Sequence, residues 1–312
     1  MRKRDATSVY WASSFGFGLF SSIVFTLNLV YHVTRVGLNP LQLVLVGTTL
    51  EFTVLVFEVP TGVVADVYSR RLSTIVGFFV IGVGNLIEGT FPVFPAVLLA
   101  QVVWGFGWTF ISGARSAWIA DEVGQDKVAS VYLRATQFQQ LGTLLGIPIS
   151  VALGSVRLNL PILIGGGLSI LVGTMLALIM PEEGFRPTPR QERETWSAMT
   201  QTLRDGLGLV RKRSVLLTFL AIGVFIGLSS EGYDRLWTAH ILENFRFPSA
   251  GNLNNQTWFG IMRFGSMLLT LAAGMLPALI TGVGASNTRV IGMQPALYYF
   301  PALGVMWLAD WA

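Results

Sequence analysis

Long apolar runs alternate with short polar joints along this chain, at a spacing that matches the thickness of a lipid bilayer. Nine runs stand out, at about 8–34, 40–62, 72–91, 94–121, 127–153, 158–180, 214–241, 256–283 and 290–309. A helix of about 20 apolar residues crosses roughly 30 Å of hydrocarbon, so each run is read as a span. The joints hold residues that stop helices: Gly37-Leu38-Asn39-Pro40, Phe91-Pro92-Val93-Phe94-Pro95, and the asparagines from Asn252 to Asn255. The fold class expected is all-α, a polytopic membrane bundle of about nine transmembrane helices. The first run follows Met1-Arg2-Lys3-Arg4. It is too long for the apolar core of a signal peptide and no small-residue cleavage site follows it, so a retained helix is expected.

Composition agrees. Of 312 residues, 52% are hydrophobic and 12% charged, with mean hydropathy +0.61, whereas a soluble domain carries about 25% charged residues. Cysteine is absent, which excludes disulfides, thiolate metal sites and cysteine nucleophiles. The net charge of +4 could suggest nucleic acid, but the basic residues sort by membrane side. With a cytoplasmic N-terminus, fourteen Lys and Arg fall on inner segments and three, Arg35, Arg157 and Arg246, on outer ones. That positive-inside pattern predicts a multi-pass protein of the cell (inner) membrane with no nucleic-acid partner.

The longest polar segment divides the chain into a six-helix bundle (1–180), a cytoplasmic linker (181–213) and an incomplete second helical half (214–312). Within the linker, Trp196, Met199, Leu203, Leu207 and Val210 recur every three or four residues. They predict an amphipathic helix on the membrane surface, with a flexible linker as the alternative.

Charge is expensive beside lipid, yet Glu58, Asp66, Arg70 and Arg71 fall within fourteen positions around the joint of spans two and three. Asp66 sits one helical turn before Arg70, so the two can pair, and Gly62 would let two helices approach closely. The stretch Gly62-Val63-Val64-Ala65-Asp66-Val67-Tyr68-Ser69-Arg70-Arg71 resembles the signature loop of the major facilitator superfamily, G-x-x-x-D-(R/K)-x-G-R-(R/K). It departs from that pattern at Val67 and Ser69. The resemblance implies a fold of two six-helix halves with substrate bound between them. It also implies a gate joining Asp66 and Arg70 to an acid at the end of span four, here Asp121, with Glu122 second. That the arginines only set topology is the alternative reading.

Ionisable residues inside spans are candidate sites, because facing lipid costs them several kcal/mol. Glu51 and Glu58 lie seven residues apart on one helix, hence on one face, where they could bind a cation or a proton. Alternatively they contact Arg115 or Arg134. Arg134, Gln137 and Gln140 form a polar stripe on span five, followed by Gly142 and Gly146. This glycine-rich stretch loosely resembles an antiporter motif and equally suits close helix packing. Glu231 and Asp234, three apart on span seven, could hold a proton or a substrate cation, or Asp234 and Arg235 could neutralise each other. On span four, Gln101 and Trp104 stand where many proton-coupled relatives have arginine and glutamine. His32 and His240 are read as interface residues, and aromatics such as Phe15, Phe25, Trp104 and Trp108 could line an apolar cavity.

The resemblance implies a secondary active transporter, similar to bacterial drug-efflux members, that exports small lipophilic or cationic compounds by proton antiport. Uptake of a metabolite is the alternative. Its partners would be a small-molecule substrate, the bilayer and coupling protons. No H-E-x-x-H or Walker-type phosphate loop is present, so neither an enzyme nor an ATP-driven pump is expected, and no cofactor or metal. Superfamily members generally have twelve helices. Only nine can be placed, and from Phe264 to Ala312 the sole charged residues are Arg289 and Asp310. The expectation is a truncated or altered form that inserts but transports poorly alone.

Overall fold

A computed structural model describes residues 5–187, 208, 211, 213–248 and 254–281, and every regular element among them is helical. The apolar positions of the predicted amphipathic segment, Trp196 to Val210, and the ninth run, 290–309, lie outside the described residues.

The first span is discontinuous. It comprises α1 (Ala6–Phe25), a turn at Thr26 and Leu27, α2 (Asn28–Tyr31), and a π-helical turn (His32–Val36) closed by Gly37 at φ 75°. The Asp5 side chain caps α1 by accepting from the Thr7 backbone N–H at 3.2 Å. Asn39 and Gln42 then form a reciprocal capping box, with Pro40 in the first turn, and launch α3 (Pro40–Val67). Ser69 caps α4 (Arg70–Thr90). The fourth span is α5 (Phe94–Ile111) followed, after a turn at Ser112 and Gly113, by α6 (Ala114–Val123). Gly124, at φ 83°, reverses the chain into α7 (Gln125–Val156), and α8 (Leu160–Ile179) returns it. These elements make six helical spans long and apolar enough to cross a membrane. Two further helices follow, α9 (Ser214–Asn244, 31 residues) and α10 (Asn255–Thr281, 27 residues).

Helix three exceeds its predicted run by five residues, reaching Val67. Asp66 can extend an apolar helix because its charge is paired, as described below.

In lipid the hydrophobic effect does not draw helices together, so close packing must do so. Gly142 and Gly146 of α7 show how: a side-chain carbon at either would collide with α1, against the backbone of Phe15 and Leu19 in one case and against Ser22 in the other. The glycine stripe is therefore a packing surface. Around it, α4 lies between α5 and α8, and a core forms about Phe20, Phe78, Ile81, Trp118 and Leu176, each less than 2% exposed. Helices α9 and α10 join this assembly by packing on α3 and α7 respectively.

Candidate functional site

At the end of the bundle that holds Asp5, the joint between α3 and α4 carries an ion-pair cluster. Arg70 bonds Asp66 through Nη2 at 3.1 Å and Nε at 3.3 Å, and its Nη1 reaches Asp121 on α6. The cluster is open, with the Asp66 side chain 53% exposed. Beside it, Arg71 takes a different role. Its backbone N–H donates to Glu182 at 2.8 Å and its guanidinium to the Ala177 carbonyl at 2.6 Å, while the Ser69 hydroxyl donates to Glu182 at 2.7 Å. Glu122 accepts from the backbone N–H groups of Glu183 and Gly184, both at 2.7 Å. The segment after α8 is thus strapped under α4 and α6, and the Phe185 ring lies beneath Arg70 at 5.9 Å. At Gly62 a side-chain carbon would meet nothing among the described residues within 4 Å.

Toward the other end, a cavity of about 350 Å³ opens between the break in the first span and helices α9 and α10. Phe25, Asn28, Asp234, Trp237, Thr238 and Arg263 are among its lining residues. The Thr238 hydroxyl is buried and has no hydrogen-bond partner among the described residues. Arg235 Nε donates to Glu231 at 2.8 Å, one turn earlier on the same helix. That pair fills a notch on α3 at Gly47, where any side chain would strike both Glu231 and Arg235. No motif marks Gly47 in the sequence; only its helical partner α9 makes it visible.

A second group of polar residues lies behind the cavity. Glu88, near the end of α4, is 3% exposed. Asn28 Nδ2 donates to its Oε1 at 2.6 Å, Gln101 Nε2 donates to its Oε2 at 3.1 Å, and His32 Nε2 lies 2.7 Å from Oε1. The Tyr31 hydroxyl donates to the Glu88 carbonyl at 2.9 Å. His32 is fully buried and makes no interface, which corrects its reading from sequence. Four elements contribute to this group, so no local spacing could reveal it. The signal open to sequence reasoning, and missed by it, was Glu88 itself, an ionisable residue inside the third apolar run.

The remaining predicted residues are dispersed. Glu51 is exposed, whereas Glu58, on the same helix, accepts from the Ser112 hydroxyl at 2.6 Å. Among the described residues neither bonds to Arg115 or Arg134. Arg115 instead donates to the Ser14 hydroxyl and lies 4.8 Å over the Tyr10 ring. Arg134 is exposed and stacks over Trp11 at 5.4 Å, and Gln137 is also exposed. Phe25 packs edge-on against Trp104, which stacks on Trp108 at 5.8 Å. Phe15 lines a separate apolar hollow between α1 and α8.

Comparison with known proteins places this architecture. The family described as Major Facilitator Superfamily matches residues 7–311. An uncharacterized MFS-type transporter of Bacillus subtilis (strain 168), YxaM, is 23% identical over 233 residues, covering 74% of this chain and 57% of that protein. The chain therefore spans 57% of the length of this curated relative. Among solved structures, a mutant of the nucleoside transporter NupG superposes with TM-score 0.73 at 14% identity, over 90% of this chain and 69% of that one. A bacterial homologue of the human lysosomal transporter Spinster superposes with TM-score 0.62 at 13% identity, over 97% and 74% of the two chains.

Proposed function

The chain belongs to the Major Facilitator Superfamily, and from that premise we propose that it is a secondary active transporter exporting small lipophilic or cationic compounds by proton antiport. The observation that carries this reading is the cavity beside the broken first span. Phe25, Trp237 and Phe259 give it aromatic walls and Asp234 gives it a carboxylate, a combination that suits an apolar body bearing a positive charge. In this reading the N-terminus is cytoplasmic in the cell membrane, residues 1–180 form one half of the transporter, and residues 214–312 belong to the other. The Asp66–Arg70–Asp121 cluster then closes the cytoplasmic side, while Glu231 and Asp234 guard the solute. Glu51, Arg134 and Gln137 would meet the solute path only in another conformation.

A second reading is uptake of a polar metabolite. Arg235 and Arg263 in the cavity wall favour it, and solved relatives of the same fold include a nucleoside transporter and a D-xylose-proton symporter.

Ethidium movement in cells expressing the chain, with and without a protonophore, tests the proposal. Expected is protonophore-sensitive export. Protonophore-sensitive accumulation would favour uptake, and no movement by a correctly inserted chain would sink the transporter reading for this chain alone.

A further inference from the structure

We propose that Glu88 and His32 together form a proton-binding site, linked to the cavity through Asn28. This deepens the proton-coupled reading above and rests on it for its role in transport, though not for its existence.

The argument begins with donors and acceptors. A carboxylate at 3% exposure needs its oxygens satisfied, because a buried uncompensated charge is costly. Asn28 and Gln101 each donate an amide N–H to Glu88, and His32 supplies a third donor if Nε2 carries its proton. In that arrangement the ionised carboxylate is fully served. The imidazole Nδ1 is then a bare acceptor, and it has no partner among the described residues.

Now add one proton. Placed on His32, it makes Nδ1 an N–H donor with nothing to receive it. Placed on Glu88 Oε2, it sets an O–H against the Gln101 N–H, and the amide must turn to accept that proton with its carbonyl oxygen. Placed on Oε1 and shared toward Nε2, it forces the imidazole into its other tautomer, and Nδ1–H is again stranded. An unmet buried donor costs about 1–3 kcal/mol. Protonation therefore requires a rearrangement of this packing, either a movement of His32 or a turn of the Gln101 amide. The pair goes from one negative charge to neutral as it takes up the proton.

Charged groups approach the pair from two sides. Helices α9 and α10 bring Asp234, Arg235 and Arg263 to the cavity that Asn28 lines. Helix α6, which packs on α4, carries Arg115, Asp121 and Glu122. Helices α5 and α8, which pack along α4, contain no ionisable residue. From the first span, the titratable or charged groups facing the site are His32 itself, the Tyr31 phenol and, close enough to act on that phenol, Arg35. Helix α3 contributes Glu51, Glu58 and Asp66, none of which bonds to Glu88.

Movement is available where it is needed. Asn28 and His32 lie in the broken part of the first span, after the turn at Thr26 and Leu27 and at the start of the π-helical turn, features that recur at functional positions. Asn28 also lines the cavity. A solute that displaces Asn28 removes a donor from Glu88, and a proton on Glu88 weakens the acceptor that holds Asn28. The two effects are reciprocal by linkage.

The test is infrared spectroscopy of the full chain in lipid vesicles as pH is lowered. A protonated-carboxyl band should appear in the parent, vanish in Glu88→Gln and persist in Glu58→Gln. Should Glu88→Gln fail to fold, Glu88→Asp keeps the question open to measurement, because the band must then shift. An unchanged band in either Glu88 variant overturns the proposal. Vesicles loaded with ethidium add a second readout: gradient-driven movement should fall about tenfold in Glu88→Gln while ethidium exchange without a gradient persists. A lost band with no ethidium movement even in the parent would leave the proton site standing and refute the export reading instead.

Discussion

The Asp66–Arg70–Asp121 cluster and the Asn28–His32–Glu88–Gln101 cluster both tie helices of the first six spans together, but the first is open and the second is sealed. An exposed ion pair contributes about 0–1 kcal/mol, because water and salt compete with it. It can be made and broken within a transport cycle at little cost, which suits a latch. A sealed carboxylate has no such freedom. Its three donors hold together while it is ionised and can part once it takes a proton, so it behaves as a two-state element. Position in the fold, more than residue type, decides which use a carboxylate serves.

The sharpest way to break this comparison is Glu88→Ala. It should cost about 3 kcal/mol of stability, since two amides and an imidazole lose their acceptor, and thermal unfolding of the purified chain in detergent would measure it. A loss below that of the exposed pair would show that the sealed cluster is not sealed.

Intermediate behaviour is expected of Glu182, which accepts from Ser69 and from the Arg71 backbone at the start of α4. Glu182→Ala should cost about 1–2 kcal/mol in the same assay, the range for losing charge-assisted bonds at a helix start.

Asp66→Asn should cost at most about 1 kcal/mol in stability yet reduce ethidium export about tenfold at equal surface expression, as a latch coupled to the cycle requires. Unchanged export would return Arg70 and Asp66 to a role in setting topology.

The smallest effect should come from Asp5, at the same end of the bundle. Burial would raise its carboxyl, but hydrogen bonds from Ser8 and Thr7 outweigh burial and hold it below the usual aspartate range. A depressed acid contributes stability that is present above its unfolded value and lost as pH falls through the folded one. Asp5→Ala should therefore cost about 0.5–1 kcal/mol at neutral pH, and the difference from the parent should vanish in strongly acidic solution.

The sequence made the spans legible because twenty apolar residues between Gly-, Pro- and Asn-rich joints admit few alternatives. The exposed cluster was legible for a similar reason: Asp66 and Arg70 are one turn apart, and Asp121 closes a neighbouring span. The sealed cluster was not. Asn28, His32, Glu88 and Gln101 come from separate elements, and inside an apolar run a single glutamate or histidine reads the same whether it faces lipid, a cavity or another side chain. Glycines show the same limit: a side-chain carbon at Gly62, inside a motif, would meet nothing among the described residues within 4 Å, while the unmarked Gly47 is the one that α9 fills.

The break in the first span also divides that span by the kind of substitution it should tolerate. Through Phe25, α1 lies against the glycine stripe of α7, and its neighbours respond to volume: one added methyl group is felt, whereas the polarity of a small side chain matters less. Past Leu27 the same span answers to a different currency, the number and direction of hydrogen bonds. There, isosteric exchanges such as Asn28→Asp or His32→Gln should be more disruptive than changes of size. A single apolar run in the sequence thus holds two adjoining segments under separate rules of variation, with the boundary at the turn of Thr26 and Leu27.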